Sequence, residues 1–198
     1  MSEITAFLNH LEFNWSSIES IAVLFSIIYV VFAAKENVWC WAFAAISVTL
    51  YIYICLNVQL FAETVLQAFY LCMAVYGYYN WNNSNRELEI KQWSVTKHLL
   101  LILFGGIFTF LIGFYFASYT NAKMPILDSF TTVFSIIATY MITKKILENW
   151  LYWFVIDSAS IYLYFSRDLH LTSLLFILYT IIAIFGYFAW LRKIRVNA

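Results

Sequence analysis

Seven apolar runs, each about the length that crosses a bilayer as a helix, follow one another at residues 18–34, 38–56, 60–79, 98–119, 126–142, 150–166 and 171–190. A backbone in lipid must satisfy its own hydrogen bonds, so each run is predicted to be a helix. Composition agrees. The chain is 64% hydrophobic and only 11% charged, where a soluble domain carries about 25% charged residues. The expected fold class is an all-α integral membrane protein of seven transmembrane helices. Residues 1–17 are too polar to span and read as an interfacial lead-in, with no cleavable signal peptide.

Charge then sets orientation. Counting with the N-terminus outside, the cytoplasmic side holds Lys35, Arg86, Lys91, Lys97, Lys144, Lys145, Arg192, Lys193 and Arg195, and the outer side only Lys123 and Arg167. The positive-inside rule therefore predicts N-out and C-in. Net charge is zero, which gives no reason to expect a nucleic-acid partner. Cys40, Cys55 and Cys72 sit inside apolar runs, and His10, His98 and His170 lie near segment ends far from one another. Neither set has the spacing of a metal site, no catalytic or phosphate-cradling motif is present, and no cofactor is expected.

The third and seventh runs end alike. Tyr70, Ala74, Gly77, Tyr78 and Trp81 recur as Tyr179, Ala183, Gly186, Tyr187 and Trp190, an offset of 109. Upstream, Glu36-Asn37 echoes Glu148-Asn149, with the offset drifting to 112. Two three-helix copies around an odd fourth helix enter the membrane from the same side, so the repeat is parallel and a central site lies between the bundles. The divisions are 1–17, a first bundle at 18–79, the polar loop and linker helix at 80–125, and a second bundle with its basic tail at 126–198. Ala74/Gly77 and Ala183/Gly186 read as points of close helix contact.

Polar groups inside the runs mark the candidate site. Asp157 lies mid-segment, at a depth where a carboxylate costs a few kcal/mol on insertion scales and faces the bundle interior. Trp150, Trp153 and Tyr164 share its helical face, so a flat cation would meet stacking, cation–π attraction and an ion pair together. Glu63, Gln67 and Tyr70 form a stripe on the third helix, with Glu63 near the outer end. Asp128, Thr132, Ser135 and Thr139 form another on the fifth; its hydroxyls can bond their own helix carbonyls, so packing is its ordinary reading, with Thr132 and Ser135 kept as site candidates. Trp190 is expected to be peripheral.

The stretch LDSFTTVFSIIATYMITKKILENWLYWFVID, together with FAETVLQAFYLCMAVYGYYNW and the closing GYFAW, resembles the Pnu family of bacterial vitamin transporters. The most specific element is Glu148-Asn149-Trp150 to Trp153 after a basic loop. The resemblance implies a 3+1+3 helix arrangement like that of SWEET sugar transporters, a homotrimer in the bacterial inner membrane, and facilitated diffusion with trapping by phosphorylation. It also implies that Trp150, Trp153 and Gln67 help form the substrate site, with Asn149 in the same motif. Riboside carriers of this family usually have Asn where this chain has Asp157, and the thiamine-carrying branch is similar in having the acid. Thiamine is therefore the expected substrate, with nicotinamide riboside as the alternative. A heptahelical retinal receptor is disfavoured because residues 171–190 contain no lysine, and an intramembrane enzyme because no mid-membrane His or Lys is available.

Overall fold

The structure, a computed structural model, describes residues 17–57, 59, 61–82, 88–120 and 123–197. The lead-in expected over residues 1–17 falls outside them apart from Ser17, as do Arg86 and the middle of the polar loop. Among the described residues seven helices run in order: α1 Ser17–Ala34, α2 Cys40–Asn57, α3 Phe61–Trp81, α4 Val95–Tyr119, α5 Pro125–Thr143, α6 Asn149–Phe165 and α7 His170–Asn197. Of these, α2, α4, α5 and α7 are long and apolar enough to cross a bilayer unaided. The others depart for reasons tied to the interior: α1 is apolar but shorter, α3 carries Glu63 and Gln67, and α6 is 17 residues long with Asp157 at its middle. Helix α7 runs beyond the expected end at residue 190. Leu191 and Ile194 pack on the core there, and Lys193 reaches back to Glu36.

Packing follows the chain. Helix α1 packs on α2 and α2 on α3; α5 packs on α6 and α6 on α7; α4 lies along α5 and reaches α6 through His98, 3.1 Å from the Tyr152 hydroxyl. The two bundles meet along α1–α7 and α3–α5. A two-fold relation carrying α1 onto α5 and α3 onto α7 exchanges those interfaces, so the architecture is the parallel 3+1+3 repeat.

The repeat keeps one offset throughout, which corrects the expected drift to 112. Glu36 at the end of α1 and Lys145 at the end of α5 both have left-handed backbones, φ 55° and 52°, and so do Gln59 and Asp168, φ 59° and 61°. Each pair is 109 apart. The same C-terminal cap closes α1 and α5: Glu36 N–H donates to Ala33 O at 3.0 Å and Asn37 N–H to Phe32 O at 2.9 Å, while Lys145 N–H donates to Ile142 O at 3.0 Å and Ile146 N–H to Met141 O at 3.0 Å. This is the Schellman pattern. The true partner of Glu36 is Lys145, and the likeness between Glu36-Asn37 and Glu148-Asn149 is one of letters only.

With that register, Trp41 on α2 is the counterpart of Trp150 on α6, and each indole lies over the glycine of the next helix. A Cβ at Gly77 would stand 2.4 Å from the Trp41 ring, and one at Gly186 would stand 2.7 Å from that of Trp150. Beyond each glycine a second indole meets the first edge-on: Trp81 against Trp41 at 5.3 Å and 86°, Trp190 against Trp150 at 5.5 Å and 88°. The close contact expected at these small residues is real, and it is made by a ring.

Where the bundles meet at this end, equivalent residues touch each other, which puts them on the pseudo-two-fold axis. Trp81 and Trp190 are 6.1 Å apart between centroids. Lys145 Nζ lies 2.9 Å from Glu36 Oε2, and Lys193 Nζ lies 2.7 Å from Oε1. Burial alone would raise the Glu36 carboxyl, but the hydrogen bonds and charges of Lys193 and Lys145 outweigh it and hold the group below the ordinary carboxylate range.

Two outcomes follow. Gly77→Ala or Gly186→Ala should cost about 1–3 kcal/mol through overpacking against a buried ring, seen as a lower melting temperature in detergent, whereas Gly106→Ala should be neutral because nothing lies within 4 Å of its Cβ position. Because Glu36 has a lowered folded pKa, its contribution is present above the unfolded value of about 4.3 and is lost as pH falls through the folded one. Melting temperature should therefore drop on acidification, and Glu36→Gln should flatten that drop while lowering stability at neutral pH.

Candidate functional site

Between the two bundles lies a cavity of about 450 Å³. Its walls come from equivalent positions of both copies: Glu19 and Asp128, Ser26 and Ser135, Trp41 and Trp150, Tyr70 and Tyr179, Ala74 and Ala183. At the Glu63 end the lining is accessible, with Glu63 exposed and Glu19 and Asp128 half-buried. At the other end Trp41 and Trp150 are each 2% exposed and belong to the apolar cluster with Ala33, Ile142 and Trp190. The cavity therefore opens at the Glu63 end and is floored by indoles at the other.

Two hydrogen bonds, images of one another, brace the bundles across its middle. Ser26 Oγ donates to Val23 O at 2.7 Å and Ser135 Oγ to Thr132 O at 2.9 Å. Each serine oxygen is thereby left to accept from a tyrosine of the other bundle, Tyr179 for Ser26 and Tyr70 for Ser135, the latter at 2.6 Å. These contacts tie α1 to α7 and α3 to α5 without filling the cavity.

The pseudo-symmetry breaks where chemistry is concentrated. Asp157 has Val48 as its counterpart, Trp153 has Ala44, Gln67 has Phe176 and Tyr51 has Ser160, and all eight line the cavity. A frame that repeats with an unrepeated polar set suits a ligand lacking two-fold symmetry. Asp157 is 3% exposed, and no described residue hydrogen-bonds to it or pairs with it. A buried carboxylate without a partner carries a desolvation cost that a cationic ligand would offset.

Of the residues singled out from the sequence, Asp157, Trp150, Trp153, Gln67, Glu63, Tyr70, Tyr164, Ser135 and Thr132 all line the cavity. Asn149 does not. It is fully buried behind the floor, and its Nδ2 donates to Ile146 O at 2.6 Å, so its place in the motif is to shape the start of α6. Glu148 beside it accepts the Trp93 N–H at 3.3 Å and ties the segment before α4 to this corner. The α5 stripe, including Asp128 and Thr139, faces the cavity rather than a packing interface. Arg167 sits at the mouth, 2.9 Å from Asp128. Sequence reasoning missed Ser26, Tyr29, Trp41, Tyr51 and Tyr179; the offset of 109 would have exposed Ser26, Trp41 and Tyr179 as the counterparts of Ser135, Trp150 and Tyr70, whereas Tyr29 and Tyr51 answer to Ala138 and Ser160 and carry no such signal. It also misjudged Trp190. That ring is fully buried, donates to Ala33 O at 3.2 Å across the bundle interface and abuts Trp150.

A membrane-spanning helical bundle around an axial cavity, its apolar walls set with a few polar groups, open at one end and plugged at the other, has the form of a membrane transporter. The chain matches the family described as nicotinamide mononucleotide transporter over residues 16–192, and it belongs to that family. Among its relatives, the nicotinamide riboside transporter PnuC of Escherichia coli (strain K12) is 27% identical over 92% of this chain and 88% of its own length. That of Neisseria mucosa is 25% identical over 91% and 74%. The riboflavin/roseoflavin transporter RibM of Streptomyces davaonensis is 19% identical over 91% and 86%. In fold, the chain is similar to the crystal structure of the vitamin B3 transporter PnuC, with a TM-score of 0.75 at 24% identity over 99% of this chain and 89% of that one. The chain is thus a multi-pass transporter and not an enzyme.

Replacing Trp190 by Leu removes both the floor's inter-bundle hydrogen bond and the edge contact that seats Trp150. A loss of about 2–4 kcal/mol is expected, in the range for large-to-small changes in a packed core. Thermal unfolding of the purified variant checks it; a change confined to a few tenths would return Trp190 to a peripheral role.

Proposed function

We propose that this protein carries nicotinamide riboside, a flat cation, into the cell by facilitated diffusion, with retention by intracellular phosphorylation. The observation that carries the flat-cation part of the reading is Asp157, a buried carboxylate on the cavity wall without a partner among the described residues, one turn from Trp153. The pyridinium would lie against the indole, its charge met by Asp157, while Gln67 offers both donors and acceptors to the carboxamide or the ribose. The names of two relatives support the riboside. The distribution of basic residues supports an orientation with the Glu63 mouth outside and the Glu36 end in the cytoplasm. Thiamine, the substrate favoured by sequence alone, stays as a second reading for one reason: the acid at residue 157 matches the thiamine-carrying branch, and thiamine too is a flat cation.

Purified protein titrated with nicotinamide riboside, thiamine and riboflavin, read by tryptophan quenching, separates these readings. Asp157→Asn should weaken binding of the preferred cation at least tenfold, roughly 1.4 kcal/mol; an affinity unchanged within about twofold in a folded variant makes Asp157 structural. In liposomes without ion gradients, labelled vitamin should equilibrate in both directions. Accumulation driven by an imposed proton or sodium gradient would contradict passive transport.

A further inference from the structure

We infer that Glu36, Lys145 and Lys193 form the latch that closes the cavity at its indole-floored end, and that this contact must part for substrate to leave there. The inference rests on the transporter reading and adds to it the residues that hold one gate.

Position comes first. Glu36 and Lys145 occupy equivalent places in the two copies, 109 residues apart, and they are bonded to each other. Equivalent residues in contact lie on the pseudo-two-fold axis, the same axis on which the cavity sits. Between cavity and latch stands the apolar floor, which includes Ala33, Ile142, Trp41 and Trp150, with Trp81 and Trp190 packed against it. Any route out along the axis at this end passes between the turn that holds Glu36 and the turn that holds Lys145.

Chemistry comes second. Four polar contacts at this end join one bundle to the other: Glu36 to Lys145, Glu36 to Lys193, Trp190 Nε1 to Ala33 O, and Trp81 Nε1 to Thr143 O at 3.2 Å. Lys145 Nζ also lies 4.9 Å from the centre of the Trp81 ring. Rocking the bundles apart must break these together. At the opposite end, the ion pair of Asp128 with Arg167 lies within the second bundle and does not join it to the first. Two copies of one side chain at this point would repel, or could not bridge; an acid in one copy and a lysine in the other make the axis attractive. The Glu36 and Lys145 side chains are 11% and 13% exposed while that of Lys193 is 56% exposed, so the inner pair holds the closure and the outer lysine reinforces it.

Cys40 is a native reporter. It is fully buried beside the Glu36 turn, in the same cluster as the floor. With Cys55→Ala and Cys72→Ala in the full chain, in lipid nanodiscs that leave both faces accessible, maleimide should label Cys40 slowly. Glu36→Gln should raise the rate about tenfold or more, the population change expected when a buried charge loses its partners. Lys193→Met should raise it less. The complete reversal, Glu36→Lys with Lys145→Glu and Lys193→Glu, should restore protection to within about threefold of the parent. An unchanged rate in Glu36→Gln overturns the latch. So does a reversal that labels as fast as Glu36→Gln, since that marks general loosening. Melting curves in the same nanodiscs identify variants that have not folded, and Lys193→Met, altering the most exposed member, keeps the ranking readable. No vitamin is added, so an error in the proposed substrate leaves this outcome untouched.

Discussion

An indole lying over a glycine holds each three-helix unit together, and the rest of the molecule is arranged around that contact. Helices in lipid gain little from hiding apolar surface from one another, because the tails outside are as apolar as the helices, so association relies on close packing and a few polar contacts. Gly77 and Gly186 provide the absent side chain that lets Trp41 and Trp150 settle on the next helix. Once seated, each ring has one edge against a second indole and another surface towards the cavity. Packing within a unit and the floor between units are thus made by the same four rings.

That economy explains why the cavity lies where it does. Close contact is concentrated at the end holding Glu36, where the rings meet, the helix caps turn and the charged pair closes the axis. Towards the other end the bundles are joined by single hydroxyl contacts, Ser26 with Tyr179 and Tyr70 with Ser135. Two bundles fastened at one end and lightly braced in the middle leave a wedge-shaped space that widens to the Glu63 mouth. Four carboxylates line it, Glu19, Glu63, Asp128 and Asp157, and Arg167 pairs with Asp128 at the mouth. The space therefore favours cations along its length, and the most deeply buried of the four acids is Asp157, 3% exposed.

Much of the fold was legible in the sequence because the bilayer imposes it. Apolar length demands helices, the shared ending of the third and seventh runs reveals the repeat, and three helices plus one linker makes the repeat parallel. Asp157 was legible for the same reason, since a mid-membrane carboxylate has few uses. The rest was hidden where the signal is a relation between ordinary residues. Ser26 and Tyr29 look like any members of an apolar run; the place of Ser26 on the wall follows from the register that aligns it with Ser135, and that of Tyr29, whose counterpart is Ala138, only from the packed helices. Following the visible Glu-Asn pairs obscured that register, because the axis requires opposite charges at equivalent sites and so erases the likeness there. Asn149 was drawn into the site by its neighbours in a motif, although its amide is held by the carbonyl of Ile146. Trp190 was set aside because a tryptophan at a helix end usually anchors at the interface, and here the helix continues for another turn and more.

The division between frame and site carries a consequence for how such a chain changes substrate. Residues repeated in both copies, the tryptophans over glycine, the serine–tyrosine braces and the alanines beside them, are constrained twice, since altering one unbalances a matched pair of interfaces. Residues that differ between copies face no such constraint. Asp157 against Val48, Trp153 against Ala44 and Gln67 against Phe176 occupy cavity positions whose counterparts already tolerate a different side chain. Substitution there changes what the cavity holds without disturbing how the bundles pack. A parallel repeat thus supplies a fixed shell and one adjustable half, which is the physical route by which related bundles can accept different flat vitamins while keeping the same seven helices.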